Sequence, residues 1–429
     1  MLMMLQKFCG VLTLILAVLY AYQAFYVVVG LLRRKYPVSG QAKTLHRYAV
    51  LISARNEEEV IGELIESLQQ QDYPKELLDI YVIADNCTDA TAQVARQAGA
   101  HVYERFDRVR VGKGYAMDWF FHRLEEEGKG DVYDGYFVFD ADNIVDPAFV
   151  REMNNVFDSG DYAAITCYRN SKNYASNWIS AGYSLWFLRE ARFLNFSRMQ
   201  MGTGCAISGT GFLVSAQVVR DNGGWPYHLL TEDIQFSIDC AVQGRRIGYC
   251  DKAVVYDEQP TTFQQSWTQR MRWSKGFYQV AARYIGGLFR GCFTQKKGRF
   301  ACYDMMMTVA PGMLLTMGVL GVNIFIFLSA LTEPRIVATE LVQDSLLFVM
   351  DNLFNFYLVM LLYGAVTLAV EWKAIHARAV DKVIYLFTFP LFMLTYVPIS
   401  LAALVRRVEW KPIRHNSSAS LKAKNGSLT

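Results

Sequence analysis

Residues 135–143 read GYFVFDADN, a short apolar run that ends in two aspartates. The apolar part has the length and the aromatic content of a buried strand. Asp140 and Asp142 would then stand at the carboxyl end of that strand, where two carboxylates can hold one hard divalent cation, Mg²⁺ or Mn²⁺. A D-x-D pattern alone is also typical of a surface turn, so its surroundings decide between the two interpretations.

Upstream of this run, apolar segments alternate with helical patterns. Strands are predicted at residues 48–53 (YAVLIS), 79–84 (DIYVIA) and 101–104, and helices at residues 88–98, at 115–127 and from 56–59 onward. The alternation predicts an α/β domain with a mostly parallel sheet and right-handed crossovers. Ligands bind at the carboxyl ends of the strands in such sheets. Acidic residues recur at these ends, namely Glu57, Asp85 and Asp140.

Two of the loops after the strands carry residues with alternative roles. Asp85 could accept hydrogen bonds from a nucleobase or a ribose, while Thr88 or Asp89 caps the following helix. Lys113 lies between two glycines and would either reach a phosphate or base or be a solvated turn lysine. The loop lacks the Walker A pattern, which excludes a P-loop ATPase.

An acidic pair occurs farther along, in residues 231–233 (TED), ahead of a helical pattern at 234–242. A threonine followed by Glu232 and Asp233 can simply start a helix, or one carboxylate can act as a general base on an attacking hydroxyl. The preceding residues 202–211 (GTGCAISGTG) include Gly209 and Thr210. Their small side chains let the backbone approach a ligand closely.

Residues 269–273 (QRMRW) lie in a stretch, residues 259–303, that has eight Lys/Arg and no Asp/Glu. At helical spacing Gln269, Arg272 and Trp273 share one face. An arginine there can stabilise a departing diphosphate, and the tryptophan can stack on a sugar. The alternative is a basic amphipathic helix on anionic lipid, and both can hold on different faces.

Four apolar runs are long enough to span a bilayer: residues 11–32, 305–331, 346–370 and 383–405. Arg33, Arg34 and Lys35 follow the first run and place the next segment in the cytosol by the positive-inside rule. Residues 333–344 suit a loop outside and residues 371–382 a loop inside. Four spans would put the basic tail outside, in conflict with its charge, so its side is left open.

The whole chain has 429 residues, 52% hydrophobic and 19% charged, with a net charge of +3. This composition excludes intrinsic disorder and a small disulfide scaffold. The eight cysteines form no CxxC pair, which disfavours zinc and suits reduced thiols in the cytosol. The predicted domains are an anchor at residues 1–43, a catalytic domain at 44–258, basic interface helices at 259–304, membrane spans at 305–406 and a basic tail at 407–429.

Taken in order, Asp85, Asp140-Ala141-Asp142, Thr231-Glu232-Asp233 and Gln269–Trp273 resemble the D, D-x-D, T/E-D, Q-x-x-R-W signature of membrane-integrated family 2 glycosyltransferases. These include the chitin-oligosaccharide, poly-N-acetylglucosamine, hyaluronan and cellulose synthases. The resemblance covers residues 48–280 and the layout of one span before and several after. It implies a cytosolic GT-A domain, a UDP-sugar donor and Mg²⁺ or Mn²⁺ as cofactor.

The resemblance also implies a role for each matching residue. Glu57 and Asp85 would hold the uridine with help from Lys113, Asp142 would be the main metal ligand, and Asp140 would contact the nucleotide and metal. Asp233, beside Glu232, would be the base, which implies inversion. The pyrophosphate and the acceptor sugar would be held by Gln269, Arg270, Arg272, Trp273, Gly209 and Thr210.

Two functions fit these residues. One is synthesis of a β-linked polysaccharide from UDP-GlcNAc or UDP-glucose, and the other is transfer of one sugar to a lipid, such as a diacylglycerol, a sphingolipid or a polyprenyl phosphate. A transporter would not explain acidic groups at successive strand ends. We expect a multi-pass plasma-membrane protein with membrane lipids as partners and no nucleic-acid partner. The chain is shorter than the cellulose synthases, so four spans make a narrow conduit unless it forms a homo-oligomer.

Overall fold

The computed structural model describes residues 2–33, 40–330 and 332–409. The strands are β1 Tyr48–Ala54, β2 Leu78–Asp85, β3 His101–Arg105, β4 Gly135–Asp140, β5 Ile144–Val145, β6 Ala164–Ser171, β7 Phe212–Ser215 and β8 Ile247–Asp257. The helices of the N-terminal segment and the α/β domain are α1 Leu2–Tyr20, α2 Tyr22–Leu32, α3 Ile61–Gln69, α4 Thr91–Gln97, α5 Lys113–Glu126, α6 Phe149–Asp158, α7 Trp178–Arg189, α8 Phe196–Met201, α9 Ala216–Asp221 and α10 Glu232–Gln243. The later helices are α11 Phe263–Thr294, α12 Arg299–Val309, α13 Pro311–Ala330, α14 Arg335–Val370, α15 Ala379–Leu394 and α16 Tyr396–Val405.

The eight strands form one sheet in the order β3-β2-β1-β4-β7-β6-β8-β5. The first four strands in this order, β3, β2, β1 and β4, are parallel to one another, as predicted. Helices in the connections between them cover the apolar faces of the sheet. β7 runs antiparallel to both β4 and β6, whereas β6 and β8 are parallel. The mostly parallel, Rossmann-like sheet is thus confirmed, with antiparallel pairings in its second half.

One helix begins later than the sequence predicts. Residues 56–59 form a turn, and α3 begins at Ile61. Asn56 has a φ of 59°, a left-handed conformation that a helix cannot continue. Its side-chain oxygen accepts a hydrogen bond from the Thr88 amide at 2.8 Å, so this turn joins the ends of β1 and β2 rather than opening a helix.

Within the part of the chain that the structure describes, three helical segments are long and apolar enough to cross a membrane: Lys7–Leu32, Arg335–Val370 and Ala379–Val405. Gly318–Ala330 is a shorter apolar helix. These helices indicate association with a membrane. Two expectations need correction. The run at residues 305–331 is divided at Ala310, where α12 ends, and most of the loop predicted at residues 333–344 belongs to α14. Arg34, Lys35 and residues 410–429 of the tail lie outside the described residues.

Packing between the sheet domain and the later helices places the site between them. Tyr183 of α7 lies edge-on to Phe392 of α15, with ring centroids 5.0 Å apart. Gly182 allows this contact, because a Cβ there would lie 2.4 Å from the Phe392 ring. On the other side, Ser274 of α11 is hydrogen-bonded to Ser400 of α16 at 3.3 Å. The apolar helices α15 and α16 therefore lie over α7 and α11, next to the carboxyl ends of the strands.

Candidate functional site

A cavity of about 490 Å³ opens where β1, β2 and β4 end and where α10 begins. It extends along one face of α11 toward α15 and α16. The predicted site residues that line it are Glu57, Asp85, Lys113, Asp140, Asp142, Gly209, Glu232, Asp233, Gln269, Arg272 and Trp273. Residues as far apart in the chain as Glu57 and Trp273 thus meet at one place, and the strand-end residues among them do so because the parallel strands end at the same edge of the sheet.

At one end of the cavity, Asp85 closes β2 as a buried carboxylate. The Arg105 guanidinium donates to its Oδ1 at 2.6 Å, and Asn86 donates to the same atom at 3.0 Å. Burial raises the pKa of Asp85, and the Arg105 contact only partly offsets that rise. Arg105, at the end of β3, therefore orients Asp85 toward the cavity. The sequence analysis missed this residue, although it ends a strand parallel to β2.

Lys113 connects two walls of the cavity from the first position of α5. Its ammonium donates to Asp140 Oδ1 at 2.6 Å and to the Gly209 carbonyl at 2.7 Å. Burial disfavours the charged form of Asp140, but the nearby ammonium outweighs this effect and lowers the pKa of Asp140. Lys113 is therefore bound within the site and not a solvated turn lysine.

The neighbouring Gly114 allows α5 to begin here. A Cβ at this position would lie 2.1 Å from the Tyr227 carbonyl oxygen. Any side chain would push the first turn of α5 away from residues 227–232. Gly114 therefore has a steric reason, whereas Gly112 has open space around it and a φ of 128° that favours glycine.

The two aspartates of the D-x-D pattern fit a divalent cation shared with a ligand. Asp140 keeps a 42% exposed side chain toward the cavity, and Asp142 Oδ2 accepts from the Glu258 amide at 3.1 Å. Among the described residues, no cluster of three or more His, Cys, Asp or Glu side chains could hold a metal alone. Mg²⁺ commonly binds through one or two carboxylates plus the phosphates of a substrate, and this pair matches that mode.

Glu232 and Asp233 form the first turn of α10, facing the cavity. Burial raises the pKa of Asp233, and burial together with the Asp233 charge raises the pKa of Glu232. Asp233 lies beside Gly209, since a Cβ at Gly209 would be 3.8 Å from Asp233 Oδ2. A carboxylate with a raised pKa next to open space has the properties of a general base.

The sequence analysis also missed a cation and an acid from the second half of the sheet. Arg169 of β6 donates to Asp257 Oδ2 through Nε at 2.6 Å and to the Ser208 carbonyl at 2.8 Å. Its guanidinium lies 3.7 Å from the centroid of the Phe187 ring. Arg169 and Asp257 both line the cavity. They hold the 208–209 segment, and with it the position of the Gly209 carbonyl.

Helix α11 presents three of its predicted residues to the cavity. Gln269, Arg272 and Trp273 line it, and Arg272 donates to the Leu230 carbonyl at 3.3 Å. This confirms that the three share one face. Trp273 lies edge-on to Tyr183, with the ring centroids 5.8 Å apart.

The structure places two predicted site residues away from the cavity. Arg270 is fully buried against α15 and α16, where it donates to the Thr395 hydroxyl at 2.7 Å and stacks on Phe392 and Tyr396. Thr210 is buried behind Asp140 and accepts a hydrogen bond from the Asp140 amide at 2.9 Å. Both shape the site from outside it.

The far end of the cavity is apolar and reaches the membrane helices. The apolar and hydroxyl side chains that line the cavity near these helices include Trp186, Leu194, Phe277, Met393, Tyr396 and Ser400. Glu190, on a π-helical segment, Glu190–Asn195, also lines the cavity, and it accepts a hydrogen bond from the Ser208 hydroxyl next to Gly209. The cavity therefore joins a charged region at the strand ends to an apolar region under α15 and α16.

Comparison with known proteins identifies a family with which this chain shares its sequence. A family model described as "Glycosyltransferase like family 2" matches residues 46–276. A β-monoglucosyldiacylglycerol synthase of Synechocystis sp. is 28% identical over 265 residues, 61% of this chain and 53% of that protein. A poly-β-1,6-N-acetyl-D-glucosamine synthase of Staphylococcus aureus is 27% identical over 260 residues, 60% of this chain and 59% of that protein.

Among solved structures, a mannosyltransferase from Pyrobaculum calidifontis in complex with GDP-Man and Mn²⁺ is similar with a TM-score of 0.57 and 16% identity. The similarity covers 86% of this chain and 98% of that one. At this identity it supports the fold alone. The alignments to the two curated relatives span 53% and 59% of their lengths.

Proposed function

The chain belongs to glycosyltransferase family 2, and on that premise we propose that it transfers a sugar from a UDP-sugar to an acceptor hydroxyl at the membrane. The observation that supports this most is the single cavity that contains Asp85, Asp140, Asp142, Asp233 and Arg272. Strand-end carboxylates, a base and a cation are what transfer from a nucleotide diphosphate needs.

In this proposal the donor lies along the strand ends. Glu57 and Asp85 bind the uridine, and Lys113 lies between the base and the diphosphate, bound to Asp140 until a donor arrives. Asp140 and Asp142 hold Mg²⁺ or Mn²⁺, which would offset the charge of the diphosphate. The Mn²⁺ in the similar mannosyltransferase complex is consistent with this role.

Asp233 acts as the base. It takes the proton of the acceptor hydroxyl, the oxygen attacks the anomeric carbon, and the bond to the diphosphate breaks on the opposite side. Arg272 stabilises the negative charge that develops on the departing UDP. A direct attack inverts the anomeric configuration, so an α-linked donor gives a β-linked product.

Two acceptors remain, and different observations favour them. Growth of a β-linked polysaccharide is favoured by Trp273, whose ring offers an acceptor sugar a stacking surface beside Gln269. A lipid acceptor is favoured by the apolar end of the cavity, where Leu194, Phe277 and Met393 could contact acyl chains. By their names, the similar protein of Synechocystis sp. uses a lipid acceptor and the similar protein of Staphylococcus aureus makes a polysaccharide.

The protein is proposed to be a multi-pass plasma-membrane protein with its α/β domain in the cytosol. The apolar helices support association with a membrane. Membrane lipids are its expected surroundings, and a homo-oligomer would widen the conduit that a polysaccharide needs.

The function is tested by transfer of label from a panel of UDP-sugars into membranes that contain the chain. We expect one UDP-sugar to label a product that membranes with Asp233→Asn do not form. A lipid-extractable product with a single sugar would reject the polysaccharide, and a large water-soluble product would reject the lipid acceptor. Absence of transfer from every UDP-sugar would contradict the proposal.

A further inference from the structure

A second cavity of about 330 Å³ lies where α10 ends and the turn between α11 and α12 meets residues 202–205. It shares no lining residue with the first cavity. Its wall comes from residues 202–205, from the end of α10 with the residues that follow it, and from the turn before α12 with the first turns of that helix. The transfer reaction proposed above makes no use of this space.

The lining of the second cavity is cationic. Arg245, Arg246 and Lys297 contribute to it, and the described residues that line it include no Asp or Glu. Arg245 is held at the edge by Asn222 at 3.1 Å and Asp221 at 3.5 Å. Lys297 is exposed. Arg245 is paired with the Asp221 carboxylate and Arg246 lies over the Tyr162 ring at 5.0 Å, so Lys297 adds its charge to two guanidinium groups that are already in contact with neighbours. The net positive lining favours an anion with several acceptor oxygens.

The negative end of α10 is also covered. The Gln295 amide donates to the carbonyls of Ala241 and Val242 at 2.8 Å and 2.9 Å. These last carbonyls of the helix would otherwise repel an anion. On the opposite side α12 begins after Gly298, whose lack of a side chain leaves the first amides of the helix uncapped. Gln295 Oε1 adds one acceptor oxygen to this wall, 2.5 Å from where a Cβ at Gly298 would lie, so the first amides of α12 are the backbone groups that favour an anion here.

The second cavity lies beside membrane-associated helices. Phe300, in its wall, packs edge-on against Tyr22 and Tyr26 of α2, with ring centroids 5.7 Å and 6.3 Å apart. Phe289 and Phe293, near the end of α11, are 59% and 67% exposed. Aromatic side chains exposed next to a basic turn are typical of a surface at the lipid headgroups.

We propose that the second cavity binds the phosphate headgroup of an anionic phospholipid from the surrounding membrane. Charge complementarity and continuity with α2 and α12 favour a lipid over a soluble anion. The headgroup phosphate lies among Arg245, Arg246 and Lys297, and the acyl chains leave past Phe300. Because Ser237, Cys240 and Ala241 line this cavity, the lipid also contacts the helix that carries Glu232 and Asp233 at its other end.

The test measures retained lipid and therefore does not depend on the transferase activity. The full chain is exchanged into mixed detergent micelles with equal amounts of phosphatidylglycerol and phosphatidylcholine, and bound lipid is quantified by mass spectrometry. We expect the wild type to enrich phosphatidylglycerol. Lys297→Gln and Arg245→Gln should each lower that enrichment about fivefold, the usual contribution of one basic residue at an anionic surface.

Lys296→Gln is the matched control, because Lys296 is exposed and adjacent but does not line the cavity. It should retain the enrichment of the wild type. Lys297 is fully on the surface of the turn, so its substitution leaves the fold intact even where Arg245→Gln loosens the contact with Asp221. Equal loss in Lys296→Gln would overturn the proposal in favour of diffuse surface charge. Full displacement of the lipid by millimolar glycerol phosphate would identify a soluble-anion site instead, and absence of enrichment in the wild type would reject the site.

Discussion

Lys113 illustrates how single residues link the parts of the cavity. Its ammonium binds Asp140 on β4 and the Gly209 carbonyl, and Gly209 in turn lies against Asp233. Binding of a diphosphate would compete for this ammonium. The geometry therefore couples donor binding to the position of the proposed base.

Asp142→Ala should weaken cation-dependent donor binding. Loss of one of two carboxylates should raise the dissociation constant for UDP at least about tenfold in the presence of Mn²⁺. Titration calorimetry with and without Mn²⁺ measures this effect. An unchanged dependence on Mn²⁺ would remove Asp142 from the set of metal ligands.

The pH dependence of the reaction follows from the raised pKa values of Glu232 and Asp233. A base must be ionised to accept a proton, so kcat/KM should fall as the pH decreases through the raised pKa. The acidic limb should lie above about pH 3.9, the value of an unperturbed aspartate. A profile of kcat/KM from pH 4 to pH 9 shows it, and a constant rate down to pH 4 would contradict a base with a raised pKa.

Asp85, Asp140 and Asp142 could be predicted from the sequence, because they stand at the ends of apolar runs and ligands bind at the carboxyl ends of parallel strands. Arg169 and Asp257 could not be predicted in this way. Their strands, β6 and β8, mix polar and apolar residues and were not recognised, although the alternation in residues 247–257 (IGYCDKAVVYD) carries a strand signal. Helical spacing already grouped Arg272 with Gln269 and Trp273. The resemblance assigned Arg270 to the site as well, and only the packing against α15 and α16 shows that Arg270 lies outside the cavity.

At the scale of elements, the beginnings of α5 and α10 position the chemistry. α5 starts at Lys113 and α10 at Glu232, and the two first turns are in contact, since a Cβ at Gly114 would lie 3.4 Å from the Glu232 Cβ. The sequence predicted both helices within a few residues. It could not predict that their first turns meet, because that contact depends on the packing of residues 227–232.

Gly114→Ala should disturb this contact. The added methyl group would meet the Tyr227 carbonyl at 2.1 Å, so we expect a loss of about 1–3 kcal/mol in the free energy of unfolding and weaker donor binding. Gly62→Ala is the control, because its methyl group would meet Val94 at an ordinary 3.7 Å inside α3. Thermal unfolding of both variants checks the prediction. An unaffected Gly114→Ala would show that α5 can shift without cost.

At the scale of the whole molecule, a buried polar network joins the N-terminal helices to the sheet domain. Asp304 of α12 accepts from Arg198 at 2.7 Å and 2.9 Å, from Tyr22 at 2.9 Å and from Tyr26 at 2.7 Å. Arg198 also lines the main cavity. The apolar run at residues 305–331 predicts one membrane span, and nothing in that pattern indicates that α12 belongs to this junction.

Asp304→Ala should destabilise the protein strongly. It leaves the Arg198 charge buried without its partner, which typically costs about 3–5 kcal/mol. Tyr22→Phe removes one hydrogen bond and should cost about 1 kcal/mol. The thermal midpoints of the purified variants in detergent compare the two. Equal midpoints for Asp304→Ala and the wild type would mean that the network does not hold the helices together.

The central claim is that one cavity binds a UDP-sugar and that Asp233 activates the acceptor within it. Asp233→Asn tests this most directly, with Asp239→Asn as the control, since Asp239 lies on the same helix but binds Tyr227 outside the cavity. UDP binding by calorimetry and transfer of labelled sugar are measured on both variants. We predict that Asp233→Asn binds UDP as the wild type does and transfers at least about a hundredfold more slowly, while Asp239→Asn retains both properties. Transfer by Asp233→Asn at the rate of the wild type, or an equal loss of binding and transfer, would contradict the account.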